Sequence, residues 1–483
     1  MNPEMAEHYS LILVGSSFAS SFFLLEYLER AGPEARVLVL ERGERVSHSQ
    51  LTQHRDRLRE AADASFVNRT PKKPWVFSVG FGGASNCWWA CAPRFLPEDF
   101  ALHSRYGVGR DWPLSYDDLE TFYSRTEEVM ACSGPADGGP APRSRPYPQP
   151  PHRFSTPDRL MKAAFPALFF EQPNARTSRS IGSRPACCNA GVCRHCPINA
   201  KFTVQNSLTA LFEDPRVQLL CGATVRRVNT RNDVATGVEY EFSGREQRAD
   251  AELVALGAGG IHNPFLLLRS GFDDPGLGRH LHEQTGALID VDLDGVENFD
   301  GGTSITALGY MLYAGAHRRE RAAILFEFWN APRLRNQRGK WRQFLRVKAL
   351  VEDLPSPESR VAIDPDDPER PSVSHAGVSD YARAAVDALP EQLPAVLSPL
   401  PVEDYSITPL FNSSESHILG TTMMGSDPRE SVVDRHLVHH RVRNLVVLGS
   451  GAFPSGSPAN PTLTLAALSL WSASHLLEKG RPA

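Results

Sequence analysis

The sequence predicts an α/β fold of two lobes: a dinucleotide-binding lobe built from both chain ends, and a mainly antiparallel sheet inserted between them. Three observations predict it. The opening residues through Glu41 read as strand, helix and strand. Residues 286–351 hold four segments of alternating character, and the C-terminal stretch returns to a strand, a glycine-rich turn and a helix.

At the start, HYSLILVG is an apolar strand, residues 18–28 carry apolar side chains at helical spacing, and ARVLVLE is a second buried strand. In a dinucleotide-binding βαβ unit, glycines after the first strand let backbone approach a pyrophosphate. An acidic residue closing the second strand holds ribose hydroxyls. Here the turn is Gly15-Ser16-Ser17-Phe18-Ala19-Ser20, so only the first glycine of the pattern remains and Ser17 and Ser20 take the other two places. Glu41, followed by Arg42, closes the second strand about 20 residues further on, the separation such a unit needs. Taken alone, this segment leaves open an ordinary α/β turn with a surface glutamate.

The Pro/Gly/Ser-rich residues 133–157 are too poor in apolar side chains for core, and read as a surface excursion or inter-lobe loop. Next, ADAELVALGAGG is a buried strand ending at Gly257 and Ala258. Asn263 reads as the N-cap of a helix, with Pro264 at its first position and Gly271 as its stop. The segments ALIDVDL, ITALGYMLYA, AAILFEFW and QFLRVKALV follow as strands of an antiparallel sheet. NLVVLG is the last strand, GSGAFPSGSPAN a turn containing Gly449 and Ser450, and Asn460-Pro461-Thr462 opens a helix closed by Lys479 and Gly480. The dinucleotide lobe thus takes residues 1–100, 185–283 and 435–483, and the inserted lobe residues 101–184 and 284–434.

A length of 483 residues allows two lobes and a bulky cofactor. The formal charge of -5, without a basic face, argues against nucleic acid as a partner. No run reaches the roughly 18 apolar residues of a membrane span, and the nearest, TLTLAALSLWSASHLL, is studded with Ser and Thr. MNPEMAEHYSLILVG lacks the basic start and cleavage site of a signal peptide, so the expected location is the cytoplasm, with export only alongside a signal-bearing partner.

Further segments carry a family resemblance. VGFGGASNCWWACAPRFLPEDF, GRDWPLSYDDLETFYSRTEE, GAGGIHNPFLLLRSG, LPSPESRVAIDP, HILGTTMMGSDPRESVVD and NLVVLGSGAFPSGSPANPTLT occur in the order found in the glucose-methanol-choline (GMC) oxidoreductases, which the chain resembles over most of its length. The resemblance is closest to the large subunits of the gluconate and glucose dehydrogenase branch. It implies a FAD-binding Rossmann-like lobe with a mainly antiparallel substrate lobe, the GMC fold, and oxidation of a hydroxyl-bearing sugar, sugar acid, polyol or other alcohol. It sets Gly82, Gly83, Ser85 and Asn86 beneath the flavin, and Val225, Gly257, Ala258, Gly449, Ser450, Pro461 and Thr462 along the cofactor. His417, in the H-x-x-G-T segment, matches the base that takes the hydroxyl proton, a role suited to imidazole. Asn460 matches the second group that orients the hydroxyl, and doubles as an N-cap. A non-redox flavin lyase on the same fold, and a flavin-less iron–sulfur carrier or scaffold, are the rival readings.

Four of the eight cysteines sit in CCNAGVCRHC. Cys188, Cys193 and Cys196 have spacings at which thiolates can converge on one soft metal centre. The segment resembles the loop holding a [3Fe-4S] cluster in membrane-linked sugar dehydrogenases of the family, which implies a small companion subunit and a cytochrome acceptor. Without a cluster, these are reduced structural thiols, and oxygen or a quinone takes the electrons. Cys87 and Cys91 read as packed apolar residues, His436, His439 and His440 as solvated loop residues, and the basic residues 333–348 as a twisted hairpin rather than a docking face.

Overall fold

The computed structural model describes residues 7–54, 56–191 and 193–478. Lys479 and Gly480, expected to close the last helix, lie outside them. The first strand, Glu7–Val14, sits at the centre of a seven-stranded sheet. It pairs in parallel with Val37–Glu41 on one side and with Arg245–Leu256 on the other. Leu445–Val447 also pairs in parallel with Arg245–Leu256, so the chain's end completes the sheet that its beginning started. All five residues of Val37–Glu41 are buried, as expected for a parallel strand covered on both faces. The covering helices Phe18–Arg30 and Thr462–Glu478 pack on each other. The last helix is apolar nearly all round, and its polar groups are satisfied internally: Ser469 Oγ donates to Leu465 O, and Ser472 Oγ to His436 O.

A six-stranded sheet forms the second lobe, with Thr285–Leu293, Phe344–Val351, Ile324–Trp329 and Ile305–Leu312 as its antiparallel centre. Strand alternation splits its side chains between two cores. Ile289, Phe326, Phe328 and Val347 pack under the helices Asp380–Asp387 and Leu389–Val396, while Leu325 and Leu350 join the core of the first lobe. The sheet is therefore buried on both faces, and one of them looks toward the dinucleotide lobe. The basic connection before Phe344 is neutralised: Arg335 meets Asp292 and Glu403, and Lys340 meets Asp294 and Glu403.

Two expectations need correction. The helix containing Asn263 begins at Gly259, so Asn263 is not its N-cap and Pro264 lies inside it. Proline removes the N–H that would bond Gly260 O, and Thr421 Oγ1 donates to that carbonyl instead. Asn263 ties the preceding turn, accepting from Ala258 N and donating to Leu256 O and Leu448 O. His439 is fully buried rather than solvated, with Nε2 3.0 Å from Asp274 Oδ2 and Nδ1 accepting from Val442 N. Within residues 133–157, Ser133 bridges both Gln149 and Asn174.

Candidate active site

One cavity of about 510 Å³ is lined from both lobes and runs from the glycine turn to His417 and Asn460. Gly15 turns the chain with φ +89°, and the Phe18–Arg30 helix starts at the cavity wall. A Cβ on Gly15 would lie 2.7 Å from Gly257 O, and one on Gly257 would lie 2.0 Å from Ser20 Oγ. Only bare backbone fits at this crossing, and bare backbone beside a helix N-terminus is what a pyrophosphate requires. Glu41 accepts from Ser16 Oγ at 2.6 Å, Ser16 N at 3.1 Å and Gly43 N at 2.9 Å. Burial holds its carboxyl above the usual range, although these bonds oppose the shift. Ser17, Ala19, Arg42, Gly83, Val225 and Ala258 line the same cavity, as do Gly449, Ser450, Pro461 and Thr462. The cradle therefore fits a dinucleotide such as FAD.

Four of the expected cofactor residues do not line it. Ser20 packs against Gly257 behind the turn. Gly82 N donates to Ser16 Oγ, Ser85 Oγ accepts from Val204 N, and Asn86 Nδ2 donates to Phe81 O. These residues fold the wall that Gly83 presents.

His417 Nδ1 lies 2.7 Å from Gln284 Oε1. The Gln284 amide nitrogen donates to Ser457 O and Ala459 O, both at 2.8 Å. Carbonyl oxygens only accept, so the amide NH2 must face them and Oε1 must face the imidazole. Nδ1 therefore carries the proton, and Nε2 keeps its lone pair. The neighbouring Glu283 accepts from His417 N and Glu415 N and pairs with buried Lys73. Burial, aided by the Lys348 charge, pushes the His417 pKa down to about 3, so the ring is neutral across the physiological range.

Asn460 does not cap the last helix. The helix begins at Thr462, with Leu465 N donating to Pro461 O, and the Asn460 side chain reaches instead toward Glu327 Oε1, 3.5 Å away. Asn460 Oδ1 is buried without a partner. Glu283, Gln284, Glu327 and Lys348 were not foreseen. The available signal was a charged residue at a buried strand position, as in ILFEFW and FLRVKALV.

Of the two readings of the cysteine loop, the structure does not support the cluster. Cys187 Sγ accepts from Asn189 N and approaches Thr303 Oγ1 on the inner side, which turns the adjacent Cys188 out to solvent, while Cys193 and Cys196 are buried. Among the described residues, no three His, Cys, Asp or Glu side chains come together to hold a metal ion, so Cys188, Cys193 and Cys196 do not form the expected cluster site. Cys87 and Cys91 line the cavity, and Cys87 is half-buried. Among the described residues no helix is long and apolar enough to cross a membrane.

Two family models described as GMC oxidoreductase match residues 158–286 and 351–469. The chain is 29% identical over 452 residues to the fructose dehydrogenase large subunit of Gluconobacter japonicus, covering 85% of this chain and 82% of that one. It is 27% identical over 507 residues to the gluconate 2-dehydrogenase flavoprotein of Pantoea cypripedii, covering 83% and 79%. Pyridoxine 4-oxidase from Mesorbium loti superposes with a TM-score of 0.68 at 17% identity, covering 97% and 99%, a likeness of fold.

Proposed function

The chain belongs to the GMC oxidoreductase family, and on that premise we propose that it is a FAD-dependent enzyme oxidising a CH–OH group of a sugar, sugar acid, polyol or other small alcohol, with His417 as base. One observation carries the reading: the Gln284 bridge leaves the His417 Nε2 lone pair free, and His417 and Asn460 line the cavity that holds the glycine cradle. When bound, the flavin supplies the hydride acceptor.

In this reading the substrate hydroxyl donates to His417 Nε2, and the Asn460 side-chain amide orients its oxygen. A half-buried imidazole whose pKa is lowered to about 3 is too weak a base to strip an alcohol beforehand. Its proton uptake therefore accompanies C–H cleavage, when the hydroxyl becomes acidic. The Nδ1–H···Gln284 bond then stabilises the imidazolium that forms. Because one relative is itself a large subunit, a small companion subunit is the proposed partner, with a cytochrome, quinone or oxygen as final acceptor.

Anaerobic mixing of the purified holoenzyme with sugars and polyols tests this. Expected is bleaching of the oxidised flavin band, lost in His417→Ala while flavin content is retained. A variant that bleaches at the wild-type rate would remove His417 from the reaction, and a flavin that no alcohol bleaches would favour the lyase alternative.

A further inference from the structure

The sheet of the second lobe presents Glu327 to the cavity from the middle of an otherwise apolar strand. Phe326 and Phe328 point into the helix-covered core, whereas Glu327 and Trp329 line the cavity. Directly across the ladder stands Lys348, the partner that an opposite-charge pair would use. Yet Lys348 Nζ is bonded to Glu415, so one half-buried lysine serves two carboxylates. With all three ionised, this wall carries one negative charge in excess.

Hydrogen bonding leaves the same imbalance. Glu327 is 4% exposed, and the donors near its carboxylate are two weak ones, Asn460 Nδ2 at 3.5 Å, the outer limit for such a bond, and the indole N–H of Trp329. Asn460, 8% exposed, has its Oδ1 buried with no donor. Two acceptors short of donors thus share the wall of one cavity, a costly arrangement unless a ligand supplies the missing O–H or N–H groups. Beside them the Trp89 and Trp329 rings, 5.0 Å apart, give an apolar surface suited to the C–H face of a ring.

We infer that Glu327 is the specificity-determining carboxylate of this cavity, and that the substrate is a polyol or amino-polyol carrying a second donor, hydroxyl or ammonium, beside the hydroxyl that reacts. The inference rests on the oxidoreductase reading above. It disfavours sugar acids, whose carboxylate would meet the excess negative charge and bring no donor.

The test is anaerobic stopped-flow flavin reduction in the holoenzyme and in Glu327→Leu and Glu327→Gln, with D-glucose, D-fructose, D-glucosamine, D-gluconate and cyclohexylmethanol, which has a single hydroxyl. Expected in the wild type is a preference of about tenfold or more for at least one of glucose, fructose and glucosamine over both gluconate and cyclohexylmethanol. Glu327→Leu collapses that gap. Glu327→Gln, which keeps an acceptor without charge, retains selectivity for a hydroxyl donor and loses it for an ammonium. Gluconate reacting best, or the same gap in both flavin-loaded variants, overturns the inference while leaving the oxidoreductase reading intact. Reduction by none of the compounds overturns both.

Discussion

Replacing Gln284 separates positioning from packing at His417. Gln284→Leu deletes the acceptor for Nδ1–H and strands two buried carbonyls, Ser457 O and Ala459 O, at a stability cost of about 1–3 kcal/mol. The freed imidazole is no longer confined to the tautomer with a bare Nε2. General-base catalysis contributes roughly 10²–10⁴-fold, so a loss on the order of 10² in flavin-reduction rate is expected. Gln284→Glu makes a sharper test. Its second oxygen meets the two carbonyls that the amide NH2 satisfied, so this variant carries a similar stability cost, but while ionised the carboxylate opposite Nδ1–H favours the imidazolium and raises the His417 pKa from about 3 to roughly 4–6. The neutral ring is the active form, so this variant gains an acid limb, its rate falling as pH drops through the new pKa. The wild type shows no such limb from His417 in that window. Stopped-flow reduction across pH measures both effects, and nitrogen-15 spectra of histidine-labelled protein read the tautomer without turnover. A wild-type rate and pH profile in both variants, or a wild-type His417 protonated at Nε2, would refute the reasoning.

Other consequences follow from the same structure. Gly15→Ala forces a side chain into a left-handed turn with Gly257 O 2.7 Å away, and is expected to cut flavin retention severalfold, read from the ratio of flavin to protein absorbance. Arg318→Met leaves Asp99 and Glu352 buried without their guanidinium, a loss of about 3–5 kcal/mol measurable by denaturant unfolding. It also disturbs Ser457, whose Oγ donates to Asp99. Buried His282 has its pKa lowered to about 4. The unfolded chain takes up this proton near pH 6.5 and the native state only near 4, so His282 costs stability progressively as pH falls through that window, about 2 kcal/mol by pH 5. Relative to wild type, His282→Met should gain about that much between pH 7 and 5. An unchanged difference would show that His282 is not held neutral.

Periodicity made much of this protein legible in its sequence. Continuous apolar runs marked the parallel strands, alternation marked the antiparallel ones, Gly15 and Glu41 stood in a local pattern whose chemistry depends on near neighbours, and His417 and Asn460 were reached through the family resemblance. The structure brings all four to one cavity. What local pattern did not carry was pairing over distance. Asn263 and Pro264 look like a helix start, until a hydroxyl from Thr421 replaces the lost donor and lets the helix begin at Gly259. The histidines of HLVHHR look solvated, until Asp274 reaches His439. CCNAGVCRHC has the spacing of a metal loop, but the inward turn of Cys187 sends Cys188 to solvent. Most of all, the orientation of His417 depends on Gln284, itself aligned by carbonyls far along the chain, and the charge facing the substrate depends on which glutamate Lys348 chooses. A sequence sets which face of each element is apolar, because that follows from residues two to four apart. Which polar groups then meet across those faces depends on the packing of distant segments, and only the tertiary structure decides it.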